Sequence, residues 1–210
     1  MTRPHRLVVV TGTGTEVGKT WWTARLCERL GAAGVSVAAR KPAQSFEPGA
    51  GPTDADVLAA ATADAPESVC PADRWYPVPM APPMAAAALG RASFTIRALA
   101  AEITWPAATD VGLVEGAGGP RSPLAADGDT VDLASALGAD TVVLVGDPGL
   151  GTINAVRLAA APFGATPLVV ALNRFDPADD LHVRNGEWLA GEGGFDLVTD
   201  PADLARRWTS

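Results

Sequence analysis

Short unbroken apolar runs alternate with longer mixed segments along most of the chain. Leu7 to Val10 is the first run, and the glycine-rich stretch TGTGTEVGKT at 11–20 leads from it into a predicted helix over 19–33. A second strand is expected at 35–39, stopped by Pro42, which cannot donate to a strand ladder. Further strands are expected at 110–115, 141–145, 167–172 and 195–198, and helices at 54–63, 84–89, 93–103, 131–137, 152–161, 179–189 and 201–208. Thr53 is placed to cap the helix that follows it. Two stretches break the rhythm. Residues 43–52 read as a mobile loop, and residues 65–83 carry six prolines, so neither a long helix nor a central strand can cross them. That second stretch reads as an ordered crossover or a loop over the site.

Continuously apolar strands separated by helices imply an α/β fold with a mostly parallel sheet covered on both faces. In such sheets ligands sit beyond the carboxyl ends of the strands. The rule gathers Gly12 to Thr20, Lys41, Glu115 to Gly119, Asp147 to Gly151 and Asn173 onto one edge.

Strand, glycine-rich turn and helix in that order form the context of a phosphate-binding loop, in which backbone N–H groups and the positive end of a helix dipole meet at one point. Lys19 is then expected to reach the terminal phosphates, and the Thr20 hydroxyl to hold Mg²⁺. The usual spacing G-x-x-x-x-G-K-[ST] requires glycine at position 13, where this chain has Thr13, and Gly12 stands one residue early. Context therefore carries the assignment.

Composition bounds the remaining possibilities. The 210 residues, 48% hydrophobic and 19% charged, fit one folded domain over 1–210. A net charge of −8 argues against nonspecific nucleic-acid binding, which needs a basic footprint. No apolar run approaches the ~20 residues of a membrane span. The run after Arg6 is also shorter than the roughly 7 to 15 residues of a signal peptide. Cys27 and Cys70 lack metal or redox spacing, so a reducing cytoplasm is the expected setting. An anionic ligand must be captured locally, and Lys19 and Lys41 are the two lysines of the chain.

Glu115 closes a strand just before Gly116-Ala117-Gly118-Gly119, where phosphoryl-transfer sites take a second Mg²⁺ ligand. Asp54 is a further candidate ligand with Asp56 as its rival, and either can serve instead as a first-turn acid complementing the helix dipole. Lys41, at a strand's carboxyl end, is placed to neutralise charge on a transferring group. Ser45 is a loop hydroxyl that can do the same or nothing. The turn from Asp147 to Asn154 leads into a helix whose amides can bind a second anion, or simply connects strand to helix. His5 and His182 stand alone, and the six tryptophans read as core or interface residues.

Taken together these residues resemble the dethiobiotin synthetase family of P-loop NTPases, over about Leu7 to Asn173. The carriers are TGTGTEVGKT with its five residues between glycines, KPAQS at 41–45, DAxxL at 54–58, PMAP at 79–82, VEGAGG at 114–119 and GLGTIN at 149–154. The resemblance implies ATP-dependent closure of a cyclic urea from 7,8-diaminopelargonate and CO₂. It implies Gly14, Glu16, Val17, Gly18, Lys19, Thr20, Glu115, Gly118 and Asn173 at the nucleotide, and Mg²⁺ on Thr20, Asp54 and Glu115. Thr15, Lys19 and Lys41 would then act on the developing charge, and Ser45, Gly118, Gly151 and Asn154 on the substrate, the last two from the partner of a homodimer. Ala43, Phe46, Pro120 and Ala155 depart from the family pattern, and its late adenine-contact segment is not recognisable after Leu189. A related ligase acting on another diamine or acid is the alternative. A ParA- or MinD-like ATPase switch needs a lysine early in the loop, at the place of Gly14.

Overall fold

The apolar runs pair side by side. In the computed structural model, which describes residues 3–209, strands β1 (Arg6–Gly12), β2 (Val37–Arg40), β3 (Gln44–Ser45), β4 (Trp75–Tyr76), β5 (Val111–Glu115), β6 (Pro123–Ala125), β7 (Gly128–Asp129), β8 (Thr141–Gly146), β9 (Leu168–Leu172) and β10 (Asp196–Val198) alternate with helices. These are α1 (Lys19–Ala32), α2 (Asp54–Thr62), α3 (Pro66–Val69), α4 (Pro82–Ala88), α5 (Ile96–Glu102), α6 (Thr130–Leu137), α7 (Thr152–Ala160), α8 (Asp180–Ala190) and α9 (Pro201–Thr209). Residues 1, 2 and 210 lie outside the described part.

Six strands form one parallel sheet in the order β10-β9-β8-β1-β5-β2, which puts the first strand between β5 and β8. The expected α/β architecture is therefore present. Side chains alternate across the sheet as a two-residue period requires. Val8 and Val10 pack with Trp22, Leu26 and Leu30 of α1 and with Leu58 of α2. Leu7 and Val9 pack on the other face with Leu99 of α5 and Leu133 of α6. Towards the far edge Leu144 and Val170 meet Val156 of α7 and Leu189 of α8. Each fully buried Leu or Val side chain contributes roughly 1.5–3 kcal/mol of transfer free energy, so both faces matter to stability. No helix among the described residues is long and apolar enough to cross a membrane.

Four expectations shift. The second strand starts at Val37, because Val35 N–H bonds Leu30 O at the end of α1 and Ser36 N–H bonds Asp110 Oδ2. The loop expected at 43–52 begins with β3, which pairs in parallel with β4 from the proline-rich crossover and ties the two stretches together. The helix expected from Ser93 begins at Ile96, where Thr95 caps it by accepting from Ala98 N–H. The helix expected from Met84 begins two residues earlier, at Pro82, since proline suits the first helical turn.

Candidate active site

The phosphate loop is shaped by three close approaches. A side chain at Gly12 would put its Cβ 2.6 Å from Val17 Cγ2 and 3.1 Å from Lys19 Cγ, so the early glycine is what lets the loop fold back on itself. Gly18 has φ +91°, and a Cβ there would lie 2.0 Å from Asn173 Nδ2. Only glycine tolerates both the left-handed backbone and the contact. Asn173, at the end of β9, donates through Nδ2 to Val17 O at 2.9 Å and so pins the loop from across the sheet. Gly14 is different, because a Cβ there meets nothing within 4 Å.

No side chain caps α1, whose N-cap is Gly18. Its first N–H groups therefore lack a side-chain acceptor and face the loop, which is the arrangement an anion fills. Lys19 Nζ donates to Gly14 O at 2.9 Å, folded over the loop. Burial pushes its pKa below the usual lysine value, and Lys41 nearby adds to the shift.

Behind the loop lies a cluster of opposite charges. Lys41 Nζ sits 2.7 Å from Asp54 Oδ2, 2.7 Å from Glu115 Oε1 and 3.1 Å from Gly116 O. Burial alone would push the Lys41 pKa down, but Asp54 and Glu115 together outweigh it and hold it above the ordinary value. Lys41 in turn holds the Asp54 carboxyl below the usual carboxylate range against the opposing effect of burial.

Thr20 Oγ1 lies 2.8 Å from Asp54 Oδ1 and 2.9 Å from Glu115 Oε1. A hydroxyl has one proton and can satisfy one carboxylate at a time. Three hard oxygens thus converge where a cation satisfies them all, and the residues fit Mg²⁺, which takes one or two carboxylates and leaves its other positions to phosphates and water.

The structure separates the two rival acids. Asp56 bonds Thr53 N–H at 2.8 Å in a capping box, so it is committed to starting α2. Asp54 is left facing Thr20 and Lys41. Gln44 fixes this end of α2 by accepting from Ala55 N–H at 2.9 Å. Thr23 Oγ1, one turn after Lys19, lies 3.0 Å from Glu115 Oε2 and orients that carboxylate. Sequence reading missed Gln44 and Thr23, although Thr23 stands four residues beyond Lys19, where a helix brings side chains together.

A cleft of about 920 Å³ opens beside this cluster. Thr15, Glu16, Gly18, Lys19, Thr20, Lys41, Ser45, Asp54 and Gly118 all line it, so one chain brings these expected site residues together. Glu115 is buried behind the lining residues, Val17 packs half-buried against the core, and Asn173 is buried against Gly18. Arg174, which sequence reading did not single out, also lines the cleft and reaches Glu16 O at 3.3 Å. Gly151 and Asn154 do not line it; both are exposed at the start of α7 beside Leu150, whose side chain is 93% exposed.

Residues 6–192 match the family described as an AAA domain. The ATP-dependent dethiobiotin synthetase BioD of Anaeromyxobacter dehalogenans (strain 2CP-C) is 38% identical over 211 residues, covering 96% of this chain and 93% of its own length. The same-named protein of Rhodococcus jostii (strain RHA1) is 41% identical over 173 residues, covering 79% and 71%. Among solved structures, chloroplast FtsY from Physcomitrella patens aligns with all of this chain at TM-score 0.55 and 17% identity. This chain spans 65% of that one, and the likeness is one of fold alone.

Proposed function

Because this chain belongs to the dethiobiotin synthetase family, we propose that its cleft joins 7,8-diaminopelargonate, CO₂ and ATP into dethiobiotin, ADP and phosphate. The observation that carries the assignment to these residues is the meeting of Lys19, Thr20, Lys41 and Asp54 at one cleft, with Glu115 directly behind. In this reading one substrate amine captures CO₂ as a carbamate. A carbamate oxygen attacks the γ-phosphorus and ADP leaves; the second amine then attacks the carbonyl carbon, phosphate leaves, and the cyclic urea closes.

The side chains have distinct parts in this scheme. Lys19 leaves Gly14 O for the phosphates, where it joins the N–H groups of Gly14, Glu16, Val17, Gly18 and Thr20. Thr15 and Lys41 stabilise charge on the carbamate and on the transferring phosphoryl group, preorganised donors being worth most where charge develops. Thr20, Asp54 and Glu115 hold Mg²⁺, which supplies Lewis-acid neutralisation of phosphate charge when bound. Asn173 and Gly118 border the nucleotide. Ser45 Oγ is buried without a hydrogen-bond partner among the described residues, which suits a role in holding the substrate.

Exposed Leu150 and Leu158 flank Gly151 and Asn154 on a surface of the kind a second copy covers. A homodimer whose partner chain presents Gly151 and Asn154 to the substrate fits this arrangement. Two buried free thiols suit a cytoplasmic setting.

The test is direct: incubate the protein with ATP, Mg²⁺, bicarbonate and 7,8-diaminopelargonate and look for dethiobiotin by mass. Absence of product, with ATP turnover indifferent to the diamine, overturns the reading. Other nucleoside triphosphates run in parallel report base preference.

A further inference from the structure

The cleft has a second chemical character. Beside its lysines it is lined by Trp21, Phe46, Pro79, Met80 and Pro82. Trp21 is 48% exposed and Met80 46%, whereas the adjacent Trp22 is 1% exposed in the core. Single exposed apolar side chains are ordinary on a protein surface. Two large ones on the wall of one cleft, within three residues of the phosphate-loop lysine in the case of Trp21, are a different matter.

Both aromatic groups are held in place. The Arg25 guanidinium lies 5.9 Å from the centroid of the Trp21 ring, and Arg25 itself is paired with Glu28 at 2.6 Å. Arg25 does not line the cleft, so it braces the indole from outside. Phe46 stands edge-on to Trp75, with ring centroids 6.4 Å apart and planes at 86°. A rigid amphipathic ring with few internal rotations makes contact at small entropic cost. Charged groups at one part of the cleft and a fixed aromatic wall at another match an amphiphilic ligand, with a polar reacting head and an unbranched aliphatic segment.

We propose that Trp21 is a specificity-determining residue that takes the methylene chain of the substrate against its indole, while the amines lie at Lys41. The proposal rests on the diamine reading above. A vicinal diamine carried on an aliphatic acid has both parts, and each methylene withdrawn from water into an apolar pocket gains discrimination.

Steady-state kinetics on wild type, Trp21→Ala and Trp21→Phe, with diamine and ATP varied separately, tests it. Trp21→Ala raises KM for the diamine roughly tenfold, Trp21→Phe falls between, and KM for ATP stays within about twofold of wild type. Quenching or enhancement of tryptophan emission on adding the diamine is lost in both variants. A thermal melt coincident with wild type confirms that the exposed side chain is not needed for folding. An unchanged KM for the diamine, or an equal rise for ATP, overturns the role of Trp21 and leaves the diamine reading intact. A wild type that forms no dethiobiotin overturns both.

Discussion

Lys41 Nζ and Glu115 Oε1 lie 2.7 Å apart with side chains only 3% and 0% exposed, so a buried ammonium holds a buried carboxylate at the base of the cleft. Removing one partner of such a pair leaves the other uncompensated. Lys41→Met is expected to lower the unfolding free energy by roughly 3–5 kcal/mol and turnover by about 10² to 10³. Urea titration with and without Mg²⁺ checks it, the cation recovering part of the stability because it can answer the same oxygens. A midpoint equal to wild type would contradict the buried pair.

The loop glycines are not equivalent. Gly18→Ala must combine a left-handed backbone with a Cβ 2.0 Å from Asn173 Nδ2, and is expected to destabilise by roughly 1–3 kcal/mol. Gly14→Ala meets nothing within 4 Å and is expected to melt with wild type. Differential scanning calorimetry of the two side by side decides it; equal losses would mean that the loop is shaped by something other than these contacts.

Both thiols are sealed. Burial, with Glu115 adding to it, pushes Cys27 up to about 12, and burial does the same to Cys70, which is pushed up to about 12. At pH 8 the thiolate fraction is then on the order of one in 10⁴. Ellman's reagent should find almost no thiol in the native protein and two after denaturation. Rapid native labelling would refute the packing around α1 and α3.

Asp140 supplies a pH dependence. Burial acts to raise its pKa, but the Arg3 guanidinium at 2.9 Å and the Leu7 N–H at 2.7 Å outweigh it and hold the carboxyl low. A depressed carboxyl contributes stability that is present above its unfolded value of about 3.9 and disappears as pH falls through the folded value. Asp140→Asn should therefore melt below wild type at neutral pH, with the gap closing as the medium is acidified below about pH 4. A gap that does not narrow at all on acidification would assign the effect to shape instead of charge.

Much of this was readable from residue order. Strand, turn and helix gave the phosphate loop despite the displaced glycine, and unbroken apolar runs gave the parallel sheet, because both patterns are local. Choosing Asp54 over Asp56 was not local, since it depends on Asp56 being consumed by the cap at Thr53. Strand β3 was hidden because its partner lies some thirty residues on, across four prolines. Trp21 and Trp22 look alike in sequence, and only the rotation of α1 against the sheet sends one inward and the other to the cleft.

The bond from Asn173 Nδ2 to Val17 O spans 156 positions, and β9, which ends just before Asn173, reaches the central strand β1 only through β8. During synthesis the glycine-rich turn emerges early but lacks its clamp until residue 173 has left the ribosome and β9 has docked. Nucleotide affinity should thus arrive late and abruptly, which lets the phosphate-binding loop and its lysine, all within the first twenty residues, stay silent in a half-made chain.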